Sequence, residues 1–154
     1  MKNIESVIIP SSVKTISSYA FYNCKQLTEI TFSSNSSLEK ICQSAFYQCP
    51  IEKFIFPETV QYVEEKAFMN NENLISVQFN SQNINIQMSC FSNCPNLEVI
   101  SFPNATDIYF DFYDFKIPDE VEIHVRRDVK LSGYFSQYKE YIKYVFGPEE
   151  AEIV

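Results

Sequence analysis

Glycine is nearly absent from this chain, with only Gly133 and Gly147 among 154 residues. Loops that cradle a phosphate need several glycines at fixed offsets, which argues against a nucleotide enzyme. There is no tryptophan and a single histidine, His124. Cations are scarce as well: 12 Lys and Arg face 20 Asp and Glu, a formal charge of −8. Phosphate backbones and anionic headgroups are held by clustered Lys and Arg, so nucleic acid and anionic membrane are disfavoured as partners. No apolar run approaches the ~20 residues of a membrane-spanning helix, which argues against membrane insertion. The N-terminus lacks the charged-then-apolar pattern of a signal peptide, and Met1 leads almost directly into a repeat. Three contexts stay open: a cytosolic protein, export by another route, or a piece of a longer chain.

What the chain does have is aromatic and repetitive. It carries 14 Phe and 10 Tyr in a composition 45% apolar and 21% charged, which argues against disorder. Its length suits one domain with a continuous core. Four times a small residue precedes phenylalanine: Ala20-Phe21, Ala45-Phe46, Ala67-Phe68 and Cys90-Phe91. The phenylalanines step by 25, 22 and 23 residues. A period in this range marks a solenoid, in which one supersecondary unit stacks on the next.

Within each period a strand-like phrase comes first. Its copies run Ile4, Val7, Ile9; Leu27, Ile30, Phe32; Ile51, Phe54, Phe56; Leu74, Val77, Phe79; and Leu97, Ile100, Phe102. The last two apolar positions lie two apart, hence on one face of a strand. Pro10, Pro57 and Pro103 follow three of these phrases and turn the chain. A second apolar pair comes next: Val13 and Ile16, Leu38 and Ile41, Val60 and Val63, then Ile84 and Ile86. Each coil therefore reads as strand, turn, short strand, and a helical or 3₁₀ turn carrying Ala-Phe. After Phe102 the pattern decays, and the aromatic segment 108–115 fits a degenerate coil that fills the core. Val121, Ile123 and Val125 predict a final strand, and helical spacing from Ser132 to about Lys143 predicts a capping helix. The expectation is a repeat solenoid of five to six coils of 22–25 residues over 1–118, with an α/β cap and acidic tail over 119–154. The first coil has no visible cap, so self-association through it is a second expectation.

The phrase Ile9-Pro-Ser-Ser-Val-Lys-Thr-Ile-Ser-Ser-Tyr-Ala-Phe-Tyr-Asn-Cys24 resembles the BspA-like leucine-rich repeat family of bacterial and protozoan proteins. The match recurs from Ile41 to Cys49 and from Phe56 to Phe68, and Phe32-Ser-Ser-Asn-Ser-Ser-Leu38 is similar to spacers of protozoan members. The chain departs from the pattern at Asn71, where its other copies have Cys, and at Cys90, where they have Ala. The resemblance implies a right-handed stack with a parallel sheet face. It implies protein or cell-surface recognition, including adhesion, and a surface location. It carries over no catalytic residue and no cofactor.

Other constellations favour structural readings. Cys24, Cys49 and Cys94 share one repeat position. At ~4.8 Å per coil, Cys49 and Cys94 sit ~10 Å apart, beyond disulfide reach. Neighbouring equivalents point the same way, so these are read as buried thiols, and all five cysteines as free. No C-x-x-C pair supports zinc, and His124 points outward, away from the thiols, so it makes no Cys-His pair. The carboxylates Asp107, Asp111, Asp114, Asp119 and Glu120 lack a calcium loop and read as a solvated edge. Asn35 and Asn104 open N-x-[ST] sequons, which matter only in a secreted chain.

That leaves the outward positions of the main strands. Glu29, Thr31, Lys53, Ile55, Ser76, Gln78, Val99 and Ser101 are expected to form one column across ~20 Å of sheet. Apolar residues among short polar ones suit contact with a protein partner rather than an enzyme cleft. Ile55 and Lys53 are expected at its centre. Changing Glu64, on the second-strand side, is expected to do little to partner binding.

Overall fold

The computed structural model describes residues 3–111, 118, 120–133 and 140–146. It is a parallel β-solenoid with two strand columns. The long column holds β1 (Ser6–Ile9), β3 (Glu29–Phe32), β5 (Lys53–Phe56), β7 (Ser76–Phe79), β9 (Val99–Phe102), β11 (Glu122–Arg126) and β13 (Ile142–Phe146). The short column holds β2 (Thr15–Ile16), β4 (Lys40–Ile41), β6 (Tyr62–Val63), β8 (Asn83–Gln87), β10 (Asp107–Asp111) and β12 (Lys130–Gly133). Every pairing is parallel and joins equivalent repeat positions, such as Phe54 with Val77 and Ile41 with Val63. The short column is continuous from β2 to β12. The long column is not: β1 pairs β3, and β5 to β13 form a separate five-stranded sheet.

Proline opens the corner between the columns. The carbonyls of Pro10 and Pro57 accept the N–H of Val13 and Val60, each at 3.1 Å, closing a β-turn. The Ala-Phe segment was expected as a helical or 3₁₀ turn; its bonds back span three residues as in a 3₁₀ turn, but they alternate with bonds to the next coil, so it is a run of overlapping turns. The N–H groups of Ala20, Tyr22 and Cys24 bond back three residues, at 3.1, 3.2 and 3.1 Å. Those of Tyr19, Phe21 and Asn23 donate to Gln43, Ala45 and Tyr47 of the next coil, at 3.0, 2.8 and 2.8 Å. The alternation requires left-handed backbone every fourth residue. It occurs at Tyr19 and Asn23, Ser44 and Gln48, Lys66 and Asn70, and Ser89 and Asn93, with φ between 54° and 62°. Outside glycine that conformation costs ~1–2 kcal/mol per residue, and the bonds to the adjacent coil offset it.

Inside, equivalent rings stack along the axis. Phe21, Phe46, Phe68 and Phe91 follow one another at centroid separations of 5.2, 5.1 and 5.6 Å. Phe56, Phe79 and Phe102 form a second pile at 4.0 and 4.9 Å. Phe68 ties the piles together, meeting Phe54 and Phe56 edge-on at 4.7 and 5.5 Å.

Toward the C-terminus the described residues continue the solenoid. β11 pairs both β9 and β13, and β12 pairs β10. Lys130–Gly133 and Ile142–Phe146 are strands where the helix was expected. The apolar residues of this stretch, Leu131 and Ile142, pack against the core, and strand pairing with the preceding coil claims their backbone. The centre of the expected helix, 134–139, and most of the aromatic run, 112–115, lie outside the described residues.

Asn71 shows what the cysteine position does. Its Nδ2 donates to the carbonyl of Phe46 at 3.0 Å and of Phe68 at 2.7 Å, and its Oδ1 accepts the Cys49 N–H at 2.7 Å. Cys49 Sγ donates to Phe21 O at 3.1 Å and Cys94 Sγ to Phe68 O at 3.3 Å. The position supplies a buried donor to the phenylalanine carbonyl of the preceding coil, and Cys and Asn both do so.

Two stability predictions follow from this packing, both read by urea melts. Phe46→Ala should cost ~3–5 kcal/mol, whereas Ser34→Ala, on an exposed turn, should stay within ~0.5 kcal/mol; equal small effects would contradict the stacked core. Asn71→Ala leaves the Cys49 N–H and the Phe46 carbonyl unpaired and should cost ~3–5 kcal/mol, while Asn71→Cys keeps a donor and should cost ~1–2 kcal/mol.

Candidate protein-binding face

The long strands alternate as the sequence requires. Phe54, Phe56, Val77, Phe79, Ile100 and Phe102 point into the core, and the residues between them point out. The register places Lys53, Ser76, Val99 and Glu122 in one outward row, and Ile55, Gln78, Ser101 and His124 in a second. Glu29 and Thr31 sit in a separate pair of rows with Ser6 and Ile8. Ile55 is 59% exposed and Ile8 69%, so two aliphatic side chains stand in water on this side. Lys53 is exposed and in no ion pair among the described residues. Gln78 is held by Asn80 at 2.7 Å, and Ser101 Oγ donates to Val77 O at 3.4 Å. His124 Nε2 lies 2.8 Å from Glu122 Oε2, which extends the face by one strand and holds the Glu122 carboxyl below its ordinary range.

The face is therefore not one unbroken column. Each step along it is marked by the amide just before the strand bonding back to the preceding coil, as in Glu98 to Ile75 at 2.8 Å and Ile75 to Glu52 at 2.8 Å. The step from β5 back to β3 has no such bond. The cause is coil length. The coil ending at Phe46 is 25 residues long where the next two have 22 and 23, and the extra residues lie in the 33–37 spacer. That spacer bonds back through Ser33 N–H to Ile9 O and Ser37 N–H to Ser11 O, both at 3.0 Å, and forward where Ser36 O accepts the Thr59 hydroxyl at 3.3 Å. Phe32 consequently meets Phe54 edge-on at 5.8 Å, rather than stacking in register on Phe56. Ile30 and Phe32 remain half-buried, and a groove of about 650 Å³ opens beside Thr31, Lys53 and Ile55. The sequence signal for this break was the 25-residue step itself.

The opposite sheet carries a side-chain clamp between coils. Glu64 receives the Lys40 ammonium at 2.5 Å and the Gln43 N–H at 3.0 Å. Burial pushes its carboxyl up, but Lys40 and the Gln43 amide outweigh that and hold it below the ordinary range. Glu64 thus clamps its coil to the preceding one. Tyr62, 50% exposed on β6, belongs to no such clamp.

None of the five cysteines forms a disulfide, and only Cys42 is not fully buried. Burial pushes the Cys49 and Cys94 thiols up to about 12. It raises Cys42 as well, helped by Glu64 and opposed by Lys40. Cys49 and Cys94 are therefore held as protonated thiols near neutral pH. Among the described residues no group of three His, Cys, Asp or Glu side chains could hold a metal ion, and no helix is long and apolar enough to cross a membrane.

Comparison with protein families agrees with this architecture. Six copies of the BspA type leucine rich repeat region match residues 1–117. The chain belongs to that family. Comparison with curated proteins gives no match. Among solved structures, that of the pneumococcal vaccine antigen PcpA aligns over 94% of this chain and 67% of its own, at 13% identity and a TM-score of 0.38. Likeness that distant carries no argument about this chain.

Thiol titration checks the burial pattern. Native protein at pH 8 should release one fast equivalent, from Cys42, and denatured protein five; two or more fast thiols would contradict it. A raised thiol pKa stabilises the fold fully below the unfolded value and progressively less above it. Stability should thus decline from ~8.5, the ordinary thiol value, toward about 12. Cys49→Ala with Cys94→Ala should flatten that decline.

Proposed function

We propose that this chain is a non-catalytic protein-binding module that recognises its partner through the outward face of the long strands. Repeats of this family generally serve protein–protein interaction. The observation that carries the reading to this face is Ile55: a large aliphatic side chain, 59% exposed, set between Lys53 and a row of short polar groups with a groove at its edge. Binding energy concentrates where an apolar anchor is shielded by a polar rim, and Lys53, Thr31, Ser76 and Gln78 supply that rim. Recognition at a cell surface or adhesion to a matrix are the settings in which such a face would act.

Ile55→Asp should abolish capture of the partner from source-organism lysate or a host surface extract, while melting as the parent does. Tyr62→Asp, the same substitution class on the other sheet, should leave capture unchanged. Normal binding by Ile55→Asp together with loss in Tyr62→Asp would move the working face to the short strands. Capture that falls as protein concentration rises would indicate self-association through the first coil instead.

A further inference from the structure

The break between β3 and β5 leaves two parallel strand edges facing each other inside a sheet that is otherwise closed. In a parallel ladder each residue directs its N–H and C=O to one side, and the next residue directs its own to the other. Ser33 N–H bonds Ile9 O and Ser76 N–H bonds Glu52 O, so outward residues address the preceding coil and inward residues the following one. The groups that meet across the break are therefore the amides and carbonyls of Ile30 and Phe32 on one edge and of Lys53 and Ile55 on the other. None of them has a ladder partner there. Below them the groove floor is apolar, with half-buried Ile30 and Phe32 beside Phe56. Around it stand Glu29, Glu52 and Glu58 against the single cation Lys53.

We propose that this slot accepts one extended, lysine-bearing segment of a partner protein as an added parallel strand. The proposal rests on the long-strand face being the recognition surface, and it gives that surface its chemistry. Unpaired backbone on both edges supplies hydrogen bonds whatever the guest's sequence, and the alternation of the flanking strands sets which side chains it needs. Inward, the guest's side chains lie over the apolar floor of Ile30, Phe32 and Phe56, above the Phe32–Phe54 ring contact, so only a small aliphatic residue such as valine suits them. The outward position between Thr31 and Ile55 takes a short or β-branched residue. Both ends meet carboxylates, Glu29 and Glu52 at the start of the strands and Glu58 just past their end, so the guest carries cations at its ends. The acidic balance of the whole chain, −8, favours the approach of such a segment.

The test uses the full chain and a capped peptide with a Val-Thr-Val centre and two lysines at each end, followed by amide NMR shifts. Two analogues accompany it, one N-methylated at the central threonine and one with glutamates replacing the lysines. The expected result is saturable shifts confined to residues 28–33 and 52–58. Each analogue should bind about tenfold or more weakly, as loss of one or two backbone or ionic contacts would do. Equal binding by the N-methylated peptide overturns strand addition, and equal binding by the glutamate peptide overturns the charge assignment. Shifts centred on Ser76, Gln78, Val99 and Ser101, indifferent to N-methylation, overturn the slot while leaving the face reading intact. No shift at millimolar peptide also overturns the slot, and the face is then judged separately by Ile55→Asp.

Discussion

The structure depends on one constraint: equivalent backbone groups of successive coils must bond to each other at the ~4.8 Å spacing of a β-ladder. The short column obeys it throughout, the long column everywhere but between β3 and β5, and so does the turn edge, where Phe21, Phe46 and Phe68 donate to the next coil at 2.8, 2.8 and 2.9 Å. Because the spacing is fixed, each interior side chain has its own equivalent above and below. Only residues that tolerate self-stacking can fill such a core. Flat rings do so at nearly the coil spacing, which explains why phenylalanine dominates the interior. The same constraint explains the left-handed residues, since alternate amides of the turn edge reach the neighbouring coil only if the backbone reverses every fourth position.

Much of this was legible in the sequence because repetition exposes it. The Ala-Phe step and the apolar pairs two apart fixed the coil frame, and alternation assigned Phe54 and Phe56 inward and Ile55 outward. The turn edge was misread, because left-handed geometry leaves little trace in composition when Tyr, Ser, Lys and Gln adopt it alongside Asn. The expected C-terminal helix failed at its ends for a different reason. Lys130–Gly133 and Ile142–Phe146 have open ladder partners in β10 and β11, and that tertiary pairing outweighs helical spacing. Asn71 looked like a lapse from the cysteine pattern, yet it performs the same task with more bonds.

The candidate face was legible residue by residue but not in its continuity. Alternation gives the direction of Glu29, Thr31, Lys53 and Ile55 correctly, since direction is a local property of a strand. Whether β3 touches β5 depends on where a 25-residue coil places its surplus. The 33–37 spacer bonds both to coil one and, through Thr59, to the coil after it, and those contacts are not encoded in any periodic pattern. The division of labour is then simple. The interior is repetitive because stacking demands it, and the outward rows are free to vary, so specificity can reside only there and at the break.

Amide hydrogen exchange tests this account most directly, because it reads the ladder one rung at a time. Global protection should cover Ser76, Gln78, Val99 and Ser101, whose amides bond the preceding coil. The amides of Ile30, Phe32, Lys53 and Ile55 should exchange at least ~100-fold faster, as unbonded edge groups do. Uniform protection through Lys53 and Ile55 would show β3 and β5 paired in solution, and the solenoid would then be closed on the face where the account leaves it open.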